Sequence, residues 1–371
     1  MKAVGIILAG GKNERLGELT VNRATSALPI GSCYRTIDFP LSNMSNSGIN
    51  KVAVITQYNS RSLHDHLSSA KWWDFGSKQG GLFIFTPYLS NDGGFWFRGT
   101  ADSIYQNLSF LRRSNEPYVV IASGDCVYKM DYNDVLKYHI QKDAEITIVY
   151  KDIAGIDLDP KDYGVMRLDE DGRMFDFEEK PIEPQSSLCS LGIYIVPRIL
   201  LIKLLETILP EARYDIVEDI LIRFRKKLRI YGYKFNGYWS SINSISAYYK
   251  TNMDFLRRKV RDIFLHDMPY IETKPKDEPP VKYNIGAEAK NCLIGSGSII
   301  NGYASGSILF RRVYTGESSS IVNSILMEGC FIGNNCVVEN AILDKEVILS
   351  DGKNLIGTQN NPLIIRKSTL I

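Results

Sequence analysis

The first two thirds of the chain alternate short apolar runs with stretches whose apolar residues recur at helical spacing. This alternation predicts strands followed by helices, and therefore an α/β domain on a largely parallel sheet. The predicted strands are Ala3–Leu8, Lys51–Thr56, Tyr118–Ser123, Glu145–Tyr150, Ser190–Val196 and Leu228–Lys234, and the predicted helices are Ile104–Arg113, Tyr132–Lys142, Pro197–Ile208 and Ile216–Lys227. Ligands of such sheets bind beyond the carboxyl ends of the strands, where Gly10-Gly11 and Gly124-Asp125 fall.

The pattern changes beyond about Lys276, after which short apolar runs alternate with Gly, Ser and Asn. Apolar residues there recur every six positions, at Ile325, Phe331, Val337, Leu343 and Leu349, with a second series at Leu326, Ile332 and Val338. A six-residue period predicts a left-handed parallel β-helix, with an ordinary β-rich domain as the alternative. We therefore expect an α/β domain over residues 1–255, a linker over 256–280 and a β-helix over 281–371. A short β-helix leaves apolar surface uncovered, which favours an oligomer.

Composition narrows the classes of function. The net charge of the 371 residues is +2, with both signs interspersed, so there is no electrostatic indication of a nucleic-acid partner. The six cysteines contain no C-x-x-C pair, which favours reduced thiols in the cytoplasm over a zinc site. The apolar start is too short for a signal peptide or a membrane span. His64 and His66 are expected at the surface of a helix rather than at a metal.

Several short motifs occur in a specific order ahead of the six-residue period. They are Leu8-Ala9-Gly10-Gly11, Arg35 to Asn43, Asn46 to Ile49, Thr56-Gln57-Tyr58, Gly99-Thr100-Ala101-Asp102, Ser123-Gly124-Asp125, Asp162 to Met166, Glu179-Lys180-Pro181 and Gly192-Ile193-Tyr194. In this order the chain resembles glucose-1-phosphate adenylyltransferase, or ADP-glucose pyrophosphorylase, over nearly its full length. The resemblance implies a Rossmann-like nucleotidyltransferase domain followed by a left-handed parallel β-helix. It also implies ATP and glucose 1-phosphate as ligands.

The resemblance assigns roles to individual positions. Catalysis would involve Arg15, facing the triphosphate, and Asp125, as a carboxylate ligand of Mg²⁺. The nucleotide would be bound by Gly10, Gly11, Gln57, Gly99, Thr100, Ala101 and Gly124. The sugar phosphate would be bound by Phe97, which replaces a tyrosine, and by Gly164, Glu179, Lys180 and Ser190. Glu179 and Lys180 could instead form an exposed ion pair.

Other positions depart from the catalytic pattern of the family. In the phosphate loop Lys12, Asn13 and Glu14 replace arginine, glycine and a small hydroxyl residue, so Glu14 is expected to repel pyrophosphate unless it points to solvent. Thr25 stands where catalytic members have lysine. Ser240 and Ser241 replace an arginine and the second metal carboxylate, which implies a weakened Mg²⁺ site.

These departures make the chain most similar to the regulatory GlgD-type subunit of bacterial glycogen synthesis. The resemblance then implies a hetero-oligomer with a catalytic ADP-glucose pyrophosphorylase subunit, with a homotetramer as a form of the chain alone. Sugar phosphates are implied as effectors, and neither nucleic acid nor membrane as a partner. Two alternatives stay open: an active nucleotidyltransferase with altered residue usage, and a stand-alone protein that senses a sugar phosphate or nucleotide.

Overall fold

A computed structural model describes residues 2–76, 80–88 and 96–371. The N-terminal domain contains one large twisted sheet, two short pairs of strands outside that sheet, and helices that cover the sheet. Its strands are β1 (Ala3–Ala9), β2 (Pro29–Ile30), β3 (Tyr34–Arg35), β4 (Lys51–Thr56), β5 (Gly81–Phe85), β6 (Tyr118–Ser123), β7 (Cys126–Tyr128), β8 (Ile146–Asp152), β9 (Gly164–Leu168), β10 (Met174–Glu179), β11 (Leu188–Pro197), β12 (Ile230–Lys234) and β13 (Trp239–Ser241). Its α-helices are α1 (Asp38–Asn46), α2 (Arg61–Leu67), α3 (Thr100–Gln106), α4 (Leu108–Arg112), α5 (Tyr132–Gln141), α6 (Arg198–Ile208), α7 (Ile245–Asp254) and α8 (Arg258–Leu265). Short 3₁₀ turns cover Glu14–Thr20, Thr25–Ala27, Ala70–Trp73, Pro160–Asp162 and Leu209–Glu211, and a π-helix covers Val217–Ile222.

The central sheet is mixed, whereas the sequence predicted a largely parallel one. Among the described residues its main path is β10-β9-β11-β6-β1-β4-β5, and β8 joins β11 to β12. Strands β6, β1, β4 and β5 are parallel, but β11 runs antiparallel to both β6 and β8. The direction of β11 follows from the segment of chain that leads into it. The chain reaches β11 through the antiparallel pair β9 and β10 rather than through a crossover helix, which a parallel neighbour would require.

The six predicted strands are confirmed, with ends that shift by about two residues at most. The sheet is buried on both sides, which explains why its strands are continuous apolar runs rather than alternating ones. Ile7 and Val120 face one core, and Ile6 and Ile121 face the other. The predicted helix Ile104–Arg113 is instead two helices, α3 and α4, separated at Asn107. The stretch predicted as a linker, 256–280, begins with helix α8.

Residues 281–371, all of them described, form the left-handed parallel β-helix. Its strands are β14 (Lys282–Tyr283), β15 (Glu288–Lys290), β16 (Leu293–Ile294), β17 (Ile299–Ile300), β18 (Tyr303–Ser305), β19 (Ile308–Leu309), β20 (Tyr314–Thr315), β21 (Ser320–Val322), β22 (Ile325–Leu326), β23 (Phe331–Ile332), β24 (Val337–Glu339), β25 (Ala341–Leu343), β26 (Ile348–Leu349), β27 (Asn354–Ile356) and β28 (Leu363–Ile365). They stack as five coils of three strands each. Face 1 is β14-β17-β20-β23-β26, face 2 is β15-β18-β21-β24-β27 and face 3 is β16-β19-β22-β25-β28.

Buried serines join successive coils at one corner of the β-helix. The Ser307 hydroxyl accepts a hydrogen bond from the Ser324 N–H (3.0 Å), and the Ser324 hydroxyl accepts one from the Ala341 N–H (3.2 Å). Each bond links residues 17 positions apart. A serine fits this corner because its short side chain satisfies a backbone donor that the turn leaves without a ladder partner.

Face 3 packs against the N-terminal domain. Its outward isoleucines, among them Ile308, Ile325 and Ile342, share one apolar core with residues of α7 and α8. Two ion pairs also cross this boundary. Arg23 and Asp344 meet at 2.6 Å with side chains that are only 5% and 4% exposed, whereas Arg366 and Glu18 meet at 2.6 Å in a more exposed position.

None of the described helices combines the length and the apolar character needed to cross a lipid bilayer.

Candidate functional site

A cavity of about 390 Å³ opens where β1 and β6 end, as expected for an α/β sheet. The loop after β6 is tied to β1 because the Gly124 N–H donates to the Leu8 carbonyl at 2.9 Å. Predicted site residues that line the cavity are Gly11, Lys12, Asn13, Arg15, Thr25, Asp125, Gly164, Glu179, Lys180, Ser190 and Ser241. The structure therefore brings together positions more than 200 residues apart in the chain.

A second pocket, of about 450 Å³, adjoins the first. Both linings contain Leu8, Gly11, Ser123, Asp125, Gly192, Tyr194 and Val217, so the two pockets form one site with two compartments. The second contains the predicted nucleotide residues Gly10, Gln57, Gly99 and Thr100, together with Phe97. Ala101 and Gly124, also predicted to bind the nucleotide, line neither pocket. Ala101 is fully buried, and its N–H donates to the Tyr214 carbonyl, which anchors helix α3.

The phosphate loop after β1 has one glycine packed tightly and one that is open. A Cβ on Gly10 would lie 3.3 Å from Gln57, whereas nothing lies within 4 Å of the corresponding position on Gly11. Asn13 holds the end of the loop, since its side chain accepts from the Arg15 N–H at 3.1 Å and donates to the Ile242 carbonyl at 3.4 Å. The loop can thus expose backbone at Gly11 to a ligand.

Glu14 does not line this cavity. Its side chain is 78% exposed and forms an ion pair with Lys12 at 2.7 Å. The hydrogen bond between them lowers the pKa of Glu14 and raises that of Lys12. The geometry matches the solvent-facing alternative rather than an acid that repels pyrophosphate.

Arg15 and Lys180, two cationic side chains that border the site, each lie close to a carboxylate. Arg15 lies at the mouth, where its guanidinium meets Asp162 at 2.7 Å. Lys180 is 64% exposed, 3.9 Å from Glu179, and adopts a left-handed backbone conformation (φ 47°).

Thr25 lies on the wall in a buried 3₁₀ turn and contributes a hydroxyl where the family pattern has a cation. The neighbouring Ser26 hydroxyl would lie 2.8 Å from a Cβ on Gly124, so this contact requires glycine.

Asp125 and Ser241 lie side by side on the cavity wall. Strands β7 and β13 pair antiparallel with Ser241 opposite Cys126, the residue that follows Asp125. One oxygen of Asp125 already accepts from the Ser123 hydroxyl at 2.5 Å and from the Cys126 thiol at 3.5 Å. Ser240 points elsewhere, with its hydroxyl 2.6 Å from that of Thr251 in α7, and does not border the cavity.

At this wall the residues offer a Mg²⁺ ion one carboxylate, that of Asp125, rather than two, so they would hold the ion only weakly. Magnesium requires oxygen ligands of high charge density, usually one or two carboxylates with substrate phosphates. Beside Asp125 the wall offers a thiol and a hydroxyl, and Asp162 is engaged by Arg15. Over residues 2–76, 80–88 and 96–371 no cluster of three or more metal-ligating side chains occurs.

The sugar-phosphate residues are preserved, with one exception. Gly164 must be glycine because a Cβ there would lie 2.4 Å from the Phe177 ring and 2.8 Å from the Glu179 carboxylate. Burial raises the pKa of the Glu179 carboxyl. Phe97, predicted on this side, lies in the second pocket instead, because its N–H donates to the Gln57 side chain at 2.6 Å.

The cavity is also lined by residues for which the sequence predicted no role. Asp162, Tyr194 and Asn243 border the first cavity. Asp162 and Tyr194 occur inside the quoted motifs, so their positions were visible but their roles were not. His66, expected at the surface, is buried beside α1, with its Nε2 2.6 Å from the Asp38 carboxylate.

Comparisons with known proteins agree with this architecture. Residues 4–258 match the family model described as nucleotidyl transferase, and residues 281–362 match the one described as GlmU-like, C-terminal hexapeptide. The chain is 37% identical over 98% of its length to a glucose-1-phosphate adenylyltransferase of Bacillus cytotoxicus, of which 96% is covered. It is 38% identical over 95% of its length to proteins of the same name from Bacillus thuringiensis and Bacillus anthracis, with 94% of each covered.

Proposed function

The chain belongs to the glucose-1-phosphate adenylyltransferase family, and on this premise we propose that it is a regulatory, catalytically weak or silent subunit of ADP-glucose pyrophosphorylase in glycogen synthesis. Its partner would be a catalytic subunit of the same family. Its ligands would be ATP, glucose 1-phosphate or related sugar phosphates, bound in the two-compartment site.

One observation carries the proposal: binding groups are retained while charge-neutralising groups are missing from the same cavity. In the family reaction an oxygen of glucose 1-phosphate attacks the α-phosphorus of ATP, and the bond to the departing pyrophosphate breaks. Protein side chains and bound cations must neutralise charge on the transferring phosphate. Thr25 and Ser241 are uncharged and face this cavity, and loss of such groups commonly lowers rates by factors of about 10² or more.

The retained groups support ligand binding. Gly11 leaves backbone open to phosphate oxygens, and Lys180 supplies a point charge at the mouth of the sugar compartment. Glu179, whose carboxylate lies beside Gly164 at the cavity, can accept hydrogen bonds from sugar hydroxyls. A protein with this site would bind ligands, orient them and respond to them with little turnover.

The test is an ADP-glucose synthesis assay on this chain alone, on a catalytic subunit from the same organism alone, and on the mixture. We expect turnover far below about 1 s⁻¹ for the chain alone. We also expect the mixture to show higher activity or an altered response to sugar-phosphate effectors. A Lys180→Ala chain serves as the control, since it should assemble equally well but lose any response that depends on the sugar-phosphate site.

A second function is favoured by the completeness of the fold around the site. Arg15 and Asp125 remain at the cavity, and Glu14 does not obstruct it. These features suit an active nucleotidyltransferase with altered residue usage. Turnover of the purified chain at an ordinary enzyme rate would select this function, whereas binding without turnover and without an effect on any catalytic subunit would indicate a stand-alone sensor.

A further inference from the structure

Four cationic side chains line the two compartments among the residues that the structure describes, and each of them already lies beside a carboxylate. The pairs, with the distance between charged atoms, are Lys12 with Glu14 (2.7 Å), Arg15 with Asp162 (2.7 Å), Arg98 with Asp102 (2.9 Å) and Lys180 with Glu179 (3.9 Å). Asp125 adds a fifth carboxylate. This balance of charge does not favour a ligand that carries several negative charges.

The pair between Arg15 and Asp162 differs in kind from the other three. Its two residues are 147 positions apart in the chain, whereas the members of each other pair are at most four positions apart. Arg15 follows the phosphate loop and Asp162 precedes β9, so the pair joins two separate loops at the mouth of the first cavity. Asp162 is therefore a counter-ion that the tertiary fold brings to the site.

A tight turn fixes the position of Asp162. The carboxylate of Asp159 accepts from the Lys161 N–H at 3.0 Å, and the Asp159 carbonyl accepts from the Asp162 N–H at 3.1 Å. The next residue, Tyr163, accepts from the Lys180 N–H at 3.1 Å through its carbonyl. The turn that presents Asp162 to Arg15 thus also anchors the backbone of the predicted sugar-phosphate residue Lys180.

The carboxylate of Asp162 competes with a phosphate for Arg15. A guanidinium that is held by a carboxylate has fewer N–H donors left for phosphate oxygens. The same carboxylate repels those oxygens, and the repulsion grows with the number of charges on the ligand. A sugar with one phosphate can be held by Lys180 while the pair stays closed, whereas a triphosphate that reaches Arg15 has to open it.

We propose that Asp162 is a specificity-determining residue that makes the site prefer a ligand with one phosphate group, such as glucose 1-phosphate, to a nucleoside triphosphate. It acts by keeping Arg15 engaged at the mouth of the cavity. The inference rests on the proposed function in one respect, which is that the cavity binds phosphate ligands.

The test is calorimetry of ligand binding to the chain alone, in EDTA, so that no divalent cation masks the charge of the ligand. AMP, ADP and ATP increase stepwise in charge, and glucose 1-phosphate provides the comparison with a sugar phosphate. Asp162→Asn removes the charge and keeps the shape. We expect it to tighten ATP binding at least about ten-fold and ADP binding by less. Binding of AMP and of glucose 1-phosphate should change by no more than about two-fold.

Two further variants separate this role from a general effect of charge or of folding. Asp157→Asn is the matched control, because Asp157 lies in the same loop and pairs with Lys250 at 2.6 Å, and among the described residues this pair does not border the cavity. It should change ATP affinity by less than about two-fold, and circular dichroism should show every variant folded. In an Arg15→Gln background, Asp162→Asn should improve ATP binding by no more than about three-fold, since the competing partner is gone.

Several results would overturn the proposal: no gain in ATP affinity with Asp162→Asn, equal gains for AMP and ATP, equal gains for the two aspartate variants, or an undiminished gain without Arg15. Each of them would leave the proposed function intact, because that function is measured as an effect on a catalytic subunit. Conversely, a gain that depends on ligand charge and on Arg15 would stand even if mixing with a catalytic subunit had no effect.

Discussion

The buried pair between Arg23 and Asp344 allows a quantitative prediction about how the two domains are held together. Its atoms lie 2.6 Å apart, and both side chains are almost fully buried. Arg23 also donates to the Met327 sulfur at 3.3 Å, and Asp344 accepts from the Lys345 N–H at 2.6 Å. The perturbation is to remove one charge, through Arg23→Met or Asp344→Asn, or both charges together.

The expected magnitude follows from burial. A single change leaves one charge buried without its partner, which typically costs about 3–5 kcal/mol, whereas replacing both partners by neutral groups is often nearly neutral. For 371 residues at about 2.1 cal/mol/K per residue, the entropy of unfolding is roughly 0.8 kcal/mol/K. Each single variant should therefore melt about 4–6 °C below the parent, and the double variant should recover most of that loss.

Differential scanning fluorimetry at low and high salt provides the measurement. The pair formed by Arg366 and Glu18 is a matched control, because it crosses the same boundary at the same 2.6 Å but is 71% and 37% exposed. Exposed pairs contribute less than about 1 kcal/mol, so Arg366→Met should lower the melting temperature by about 1 °C or less.

Two results would refute the reasoning. If Arg23→Met and Arg366→Met cost the same, burial would not control the strength of these pairs. If the double variant were as unstable as the sum of the single variants, the two side chains would act independently rather than as a pair.

Three further predictions concern the site and the core. Combined Thr25→Lys and Ser241→Asp changes should raise ADP-glucose formation above the parent in a coupled pyrophosphate assay, while each change alone does little because the two groups line the same cavity and act as one unit; no gain in a folded, ATP-binding double variant would place the defect elsewhere. Lys180→Ala should weaken glucose 1-phosphate binding at least about ten-fold by calorimetry and leave ATP binding within about two-fold. Burial lowers the pKa of His139 from its usual 6.5 to about 4, so stability from its neutral form is complete above pH 6.5 and declines as the pH falls towards 4. His139→Gln should reduce the fall in melting temperature between pH 7 and pH 5, and an unchanged pH profile would contradict this.

The fold was predictable where the pattern is strong and local. The buried strands and the six-residue period are visible because each depends on a continuous run of apolar residues. The antiparallel direction of β11 could not be predicted, because it depends on the hairpin of β9 and β10 that precedes it. Pairing of β7 with β13 joins segments more than 110 residues apart and leaves no local signal.

The sequence predicted which residues surround the cavity better than it predicted the direction in which their side chains point. Motif order identified most of the residues around the cavity, yet a motif does not say where a side chain points. Glu14 turns to Lys12, and Ser240 turns to Thr251. Phe97 joins the other compartment because the Gln57 side chain holds its backbone. Such choices are made by hydrogen bonds between residues distant in sequence.

The serine contacts between coils restrict how the gene for this domain can change in length. Ser307, Ser324 and Ala341 succeed one another at intervals of 17 residues. A tandem duplication of one such unit would add about 4.8 Å to the β-helix and reproduce the corner bond. A single inserted codon would shift inward and outward positions in every later strand of that coil. We therefore expect length variation among descendants of this chain to occur in whole coils, while shorter insertions are confined to the loops between them.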